Sequence, residues 1–232
     1  MGNENNDKEL NEFVFSVVKK MAKMTYIRPE EIPNIDLYMD QVTTFMDEHL
    51  SDAKRHSEDK ILTKTMINNY AKNDLLPPPD KKKYSKDHMI MLIFIYYFKS
   101  LMSISDIQTL LGPLSEEIFG GEGDVSMSEV YKRIYNYERS HMVDVAKGIS
   151  KNQRDAMNLF EDVEDPDERT YLQLFSLVGM LSFDVYSKKY VIQSVIDELE
   201  KARIAMEEKA EARREAKKAA LKRARREKKE KK

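Results

Sequence analysis

Apolar residues recur at helical spacing along most of this chain, which predicts an almost wholly helical protein. The first such segment, Leu10–Met21, forms an amphipathic helix that the RPEEIP sequence at 28–33 ends. Asn34 is placed to cap a second helix. The apolar side of that second helix is expected to consist of Leu37, Tyr38, Val42, Phe45 and Met46.

The middle of the chain predicts short helices around one hairpin. A polar loop at 51–60 precedes a short helix capped by Thr63 or Thr65, and Pro77-Pro78-Pro79 ends that helix. Strand is expected only in a hairpin near Leu75–Tyr84. The apolar run Met89–Phe98 predicts a buried helix, because it is far shorter than the roughly 20 residues that a membrane span needs. Ser85 caps that helix, which runs to about Leu101, and Ser103 or Ser105 caps a short helix that Gly112-Pro113 closes.

The rest of the chain predicts longer helices. A turn or hinge is expected at 119–124, FGGEGD, then helices over Met127–Gly148 and Asn152–Phe160 and an acidic connector at 161–168. From Arg169 onward the helical pattern is interrupted only by Gly179. The predicted domains are an N-terminal amphipathic helix at 1–31, a winged helix-turn-helix at 32–113, a helical dimerisation or sensing region at 114–200 and a basic tail at 201–232.

Charge is distributed unevenly along the chain. Residues 201–232 carry 15 Lys and Arg against 6 Glu, a net charge of +9. Because the net charge of the whole chain is −2, the remaining residues carry a net charge of −11. The tail is open to three interpretations: a solvated charged helix, a disordered solubilising end, or a nonspecific nucleic-acid contact. The chain has no cysteine and a polar, acidic N-terminus, which together favour a cytoplasmic protein and exclude disulfides and thiol chemistry.

The short helix after Thr63 has the composition of a DNA-reading element. Thr65, Asn68, Asn69 and Lys72 share one face, and Met66, Ile67, Tyr70 and Ala71 form the opposite, core-facing side. No acidic residue lies between Lys60 and Asn73. Amides, a hydroxyl and a lysine on one face can bond phosphates and base edges, although a solvated helix face is the alternative.

The hairpin supplies the second candidate group. Lys81, Lys82 and Lys83, with Lys64 and Lys72 on the helix, are predicted to hold DNA phosphates. A solvated hairpin tip is the alternative for the lysine triplet. Tyr84 is a candidate phosphate ligand or a core anchor at the base of the wing. The four histidines have no metal-ligand spacing, the aromatic run at 94–98 is predicted to be core, and no catalytic arrangement is found, so we expect neither enzyme nor cofactor.

These residues resemble the DNA-binding domain of the MerR family. Ile67-Asn68-Asn69-Tyr70 corresponds to the family's recognition helix, and Asp74-Leu75-Leu76-Pro77 and Lys82-Lys83-Tyr84-Ser85 correspond to the start and end of its wing. Asn68 and Asn69 replace an aromatic and a basic residue, and Asp74 replaces glycine. A more specific resemblance, over about 32–148, is to a bacterial MerR-like family known as domain of unknown function family 1836, on IPNIDLYMDQVTTFM, LTKTMINNYAKNDLLPPP and KKYSKDH.

The resemblance implies a mostly α protein, with a MerR-like winged helix-turn-helix followed by a C-terminal helical region. It implies a transcriptional regulator that binds double-stranded DNA sequence-specifically as a homodimer, and an effector of unknown chemistry is possible. The alternative is a non-enzymatic protein-interaction adaptor that keeps the fold without binding DNA. A contiguous positive face around Lys64, Lys72 and Lys82 favours DNA, whereas acidic residues such as Asp36, Asp40 or Asp47 closing over it favour the adaptor.

Overall fold

A computed structural model describes residues 2–21, 27–119 and 124–230 of the chain. The described part is mostly helical, and it divides into two compact units, residues 1–189 and 190–232. The elements are α1 Gly2–Met21, β1 Leu37–Tyr38, α2 Met39–Leu50, a 3₁₀ turn Ser51–Ala53, α3 Lys64–Lys72, β2 Lys83–Tyr84, α4 Lys86–Phe98, α5 Ile104–Phe119, α6 Met127–Met157 and α7 Pro166–Glu230.

Helix α4 is the centre of the first unit. Every residue from His88 to Ile95 is buried, and the helix contacts β2, α5 and α6. A helix that is apolar on all sides can be stable only where other elements cover it on all sides. The prediction of a buried helix is therefore confirmed, with its end at Phe98 rather than near Leu101.

The only sheet in the described residues joins two distant segments. Leu37 pairs with Tyr84 and Tyr38 with Lys83 in an antiparallel register. The prediction of strand confined to 75–84 was therefore wrong, as was the prediction that Asn34 caps the next helix. Because pairing with β2 keeps Leu37 and Tyr38 extended, α2 begins only at Met39, and the Tyr38 N–H is satisfied by Gln41 Oε1 at 2.9 Å.

Two predicted helix ends are also wrong. Helix α5 continues through Gly112-Pro113 to Phe119, because Pro113 lies on the exposed side, where solvent can reach the Thr109 carbonyl that loses its N–H partner. Helix α6 runs unbroken across 149–151, where the Ser150 hydroxyl donates to the Ala146 carbonyl at 2.9 Å. Of the predicted FGGEGD turn, residues 120–123 lie outside the described part.

Helices α1, α6 and α7 form a second, smaller cluster in the first unit. Val14, Ala156 and Leu177 are buried together, with Val18, Met157, Met180 and Leu181 against them. The Gln173 side chain donates to the carbonyls of Met157 and Leu159, which caps the end of α6. The acidic connector is confirmed but ends at Asp165, which caps α7 at Pro166. Helix α7 continues through Gly179, so the predicted interruption there was wrong. The predicted domain boundaries stay predictions.

Candidate nucleic-acid interface

Helix α3 begins and ends at well-defined caps. Thr63 Oγ1 accepts a hydrogen bond from the Met66 N–H at 3.2 Å, so of the two predicted caps Thr63 is the one used. At the other end the N–H of Leu75 donates to the Tyr70 carbonyl at 2.9 Å, and Asp74 adopts a left-handed φ of 53°. This is the Schellman arrangement, with aspartate where glycine is the usual residue.

The two faces of α3 differ as the sequence predicted. Ile67 and Tyr70 are buried, and the helix packs on α2. The predicted contact residues Thr65, Asn68, Asn69 and Lys72 are all exposed. The structure therefore brings these four side chains to one solvent-facing surface of a helix that carries no acidic residue.

The turn at 80–83, called here the wing because the sequence predicts one there, is tight and has an unusual backbone. Lys83 N–H donates to the Asp80 carbonyl at 2.8 Å, and the central residues Lys81 and Lys82 have φ values of 48° and 65°. Two consecutive positive φ values are typical of a type I′ turn, for which Asn-Gly is the favoured pair. Each non-glycine residue in that region costs about 1–2 kcal/mol of backbone strain. Both lysines are exposed.

The return arm of the wing is anchored in the protein. Tyr84 is buried and its ring meets the His88 ring edge to face, with centroids 5.7 Å apart. Of the two interpretations of Tyr84, this placement fits the core anchor, and we do not include it among the proposed contacts. Lys83 is half-buried, and its Nζ lies 5.2 Å from the centroid of the Tyr38 ring.

His88 holds the base of the wing in place. Its Nδ1 accepts the Ser85 N–H at 3.1 Å and lies 2.8 Å from the Ser85 hydroxyl, in a capping box at the start of α4. The ring also packs on Phe119 of α5, with centroids 4.7 Å apart. Burial lowers the pKa of His88, against the smaller raising effects of the Pro78 and Pro77 backbone and of Asp87 and Asp36. A histidine that accepts an N–H is neutral, so the neutral form maintains this cap.

One predicted phosphate-binding lysine has a partner within the protein. Lys64, the first residue of α3, forms an ion pair with Asp40 in the first turn of α2. Both side chains are mostly exposed, and pairs of this kind contribute about 0–1 kcal/mol. Asp47, near the other end of α2, pairs with Lys54 at 2.7 Å. Of the acidic residues named in the sequence analysis, Asp40 therefore reaches the candidate surface.

This arrangement lies within a segment, residues 27–134, that matches a family model. The family is described as Domain of unknown function (DUF1836). No curated protein and no solved structure matches the chain. The DUF1836 segment contains β1, the helices α2 to α5 and the start of α6, and thus all the predicted contact residues. It contains neither α1 nor α7.

The connection between α2 and α3 of the DUF1836 segment is held by a half-buried lysine. Lys99, the residue after α4, donates from Nζ to the Ile61 carbonyl at 3.0 Å, and burial lowers its pKa. An open pocket of about 600 Å³ lies between α2 and this connection, lined mainly by polar residues such as Thr43, Asp47 and Ser57. The lining of this pocket does not identify the effector, whose chemistry the sequence does not predict.

Sequence reasoning missed two residues of the candidate interface. Tyr38 was expected on the apolar side of a helix but is exposed beside the wing, and His88 was set aside because its spacing fits no metal site. A histidine three residues after Ser85 could have suggested a capping box. No local pattern marks Tyr38, because its strand partner is far along the chain. Within the described residues, no helix combines the length and apolar character needed to cross a membrane.

Proposed function

We propose that this protein is a cytoplasmic transcriptional regulator that binds double-stranded DNA sequence-specifically through a MerR-like winged helix-turn-helix. Helices α2 and α3 are the helix-turn-helix pair, α3 enters the major groove, and the turn at 80–83 is the wing. The order α2, α3, wing and α4, and the packing of α3 on α2, support this assignment.

The observation that carries the proposal is the lysine turn. Lys81 and Lys82 occupy positions where asparagine and glycine would relieve backbone strain, and their side chains make no contribution to the core. Strain that persists in an exposed turn is usual where the side chains have a function. Two exposed ammonium groups at a hairpin tip are suited to bind phosphate oxygens.

The roles within the interface differ by residue. Lys72, Lys81, Lys82 and Lys83 contact the phosphate backbone, and Lys64 does so after leaving Asp40. Thr65, Asn68 and Asn69 face base edges, where an asparagine can bond adenine through two hydrogen bonds. No redox or hydrolytic step is part of this function, and no cofactor is required by it.

The experiment is a selection of binding sites from random duplex DNA by the full chain, repeated with two kinds of variant. Asn68→Ala should change the preferred base at one position, at a cost of about 1–3 kcal/mol for the original site. Lys82→Ala should weaken binding to all sequences about equally and leave the selected site unchanged. An absence of any selected site, or the same site and affinity with Asn68→Ala, Asn69→Ala and Lys82→Ala, would refute DNA reading by this surface.

We further propose that the protein acts as a homodimer. Helix α7 packs on α1 and α6 through residues such as Leu177, but a second apolar stripe on its other side remains exposed. That stripe, called here the outer stripe of α7, consists of Tyr171, Phe175, Val178, Val185 and Tyr186. Its first three members are spaced four and three residues apart, as in a coiled-coil seam.

A protein-interaction adaptor remains the second candidate because of one observation. The Asp40 carboxylate already neutralises Lys64, and the acidic residues Asp74 and Asp80 flank α3 and the wing. An adaptor would bind a basic or mixed-charge protein surface there. In that case the full chain would bind duplex DNA no better after Asp40→Asn, whereas a DNA-binding protein would gain affinity at low salt.

A further inference from the structure

Tyr38 is a large aromatic side chain that the fold leaves in solvent. It is 54 % exposed, although its neighbours in the strand register, Leu37 and Tyr84, are both buried. Ile35, three residues earlier, is 67 % exposed. An aromatic residue at a strand end is more often turned inwards, because burying its ring stabilises the fold.

The position of Tyr38 connects the two groups of cations. Across the sheet it pairs with Lys83, whose Nζ lies 5.2 Å from the centre of its ring. Along the chain it is the residue before α2, whose first turn carries Asp40 and thereby holds Lys64. Tyr38 therefore lies between the wing and the start of α3.

The contact with Lys83 alone does not explain a tyrosine. A cation over an exposed ring contributes about 0.5–1 kcal/mol, and phenylalanine supplies the same ring. What tyrosine adds is a neutral hydroxyl that can donate a hydrogen bond. A donor placed between two sets of lysines can bond the same phosphate backbone that the lysines attract.

We propose that Tyr38 is a phosphate-contact residue of the interface, and that its ring also positions the Lys83 ammonium beside the same backbone. The proposal rests on the DNA-binding function above. The hydroxyl donates to a phosphate oxygen, while the ring keeps Lys83 from swinging into solvent. Because tyrosine is uncharged, its contact adds affinity without releasing a counterion.

The test compares four variants of the full chain, Tyr38→Phe, Tyr38→Ala, Lys83→Ala and Tyr137→Phe, on a labelled random-sequence DNA duplex over a range of salt concentrations. Tyr38→Phe removes only the hydroxyl and should weaken binding about tenfold at every salt concentration, since a hydrogen bond to a charged group is lost. The slope of log affinity against log salt should stay unchanged. Lys83→Ala should reduce that slope by about 0.9. Tyr137→Phe, which changes an exposed tyrosine of α6, is the matched control and should bind as the wild type does.

The outcomes separate this proposal from the one on which it rests. A wild-type chain that does not bind the duplex overturns DNA binding itself, and the role of Tyr38 with it. A wild-type chain that binds, with Tyr38→Phe equally tight, overturns only the phosphate contact. If Tyr38→Ala weakens binding and Tyr38→Phe does not, the ring merely positions Lys83, and the hydroxyl contact is wrong. Equal melting temperatures of wild type and Tyr38→Phe exclude a loss of folding as the cause.

Discussion

Helix α4 and the first part of α7 are both rich in apolar residues, yet they differ in what covers them. In α4 all side chains from His88 to Ile95 are buried, whereas between 166 and 189 α7 buries Gln173 and Leu177 and exposes the outer stripe. A monomer rarely exposes an apolar patch of more than a few hundred Å². Apolar content therefore predicts that a surface will be covered, and only packing shows whether the cover belongs to the same chain.

The largest expected effect is in α4. Ile93→Ala should lower the free energy of unfolding by about 2–5 kcal/mol, because it leaves a cavity in the fully buried part of α4. Val178→Ala on the outer stripe should change the stability of the monomer by less than about 0.5 kcal/mol. Urea unfolding measures both changes in the free energy of unfolding, at a protein concentration below the dissociation constant of the dimer. A cost below about 1 kcal/mol at Ile93 would contradict the central position of α4.

The next effect concerns the outer stripe of α7. Phe175→Glu should raise the dissociation constant of the dimer at least about 100-fold, because a charge would be buried without a partner. Sedimentation at micromolar concentration should show a dimer for the wild type and a monomer for this variant.

Phe15 of α1 provides the matched control for Phe175. It is 68 % exposed against 65 % for Phe175, and it lies on a different helix from the outer stripe. Phe15→Glu should therefore remain dimeric. A monomeric wild type, or dissociation by both variants alike, would show that the outer stripe is not the dimer surface.

The sequence predicted the helical elements better than the surfaces between them. The buried α4, the two faces of α3 and the Thr63 cap follow from local patterns, which the chain within one element determines. The pairing of β1 with β2, the exposure of Tyr38 and the Asp40–Lys64 pair depend on residues that are distant in the chain. The continuation of α5 through Pro113 depends on which side of the helix meets solvent, and that side is fixed only by packing.

A smaller effect is expected at the wing, where stability and affinity should move in opposite directions. Lys81→Asn with Lys82→Gly supplies the residues that a type I′ turn favours and should raise the free energy of unfolding by about 0.5–1 kcal/mol. The same variant should bind duplex DNA about tenfold more weakly, with a salt slope lower by about 1.8.

The control for the wing removes two charges elsewhere. Lys132→Gln with Lys151→Gln changes two exposed lysines of α6 and should leave both DNA affinity and slope near wild type. Gel-shift titrations and urea unfolding provide the two measurements. If the turn variant gains stability and keeps full affinity, the lysines are not a phosphate clamp.

The smallest effect is the dependence of stability on pH at His88. Because burial lowers its pKa in the folded state, the unfolded chain binds the proton first. The contribution of His88 is fully present above about pH 6.5, the unfolded value, and declines as the pH falls towards the lower folded value. His88→Asn should therefore flatten the plot of unfolding free energy against pH between about pH 7.5 and about pH 5.5, the range in which histidines usually titrate. His141→Asn, at an exposed site, should retain the wild-type curve.

The pair between Lys64 and Asp40 has a consequence for the thermodynamics of association. Asp40 acts as a counterion that the protein carries with it. When a phosphate replaces Asp40, the DNA releases a cation, but the freed carboxylate attracts one from solution. The contact of Lys64 then adds almost nothing to the net number of cations released. The measured slope of log affinity against log salt should therefore be smaller than the number of lysines at the phosphates implies. Asp40→Asn should restore the missing increment of about 0.9.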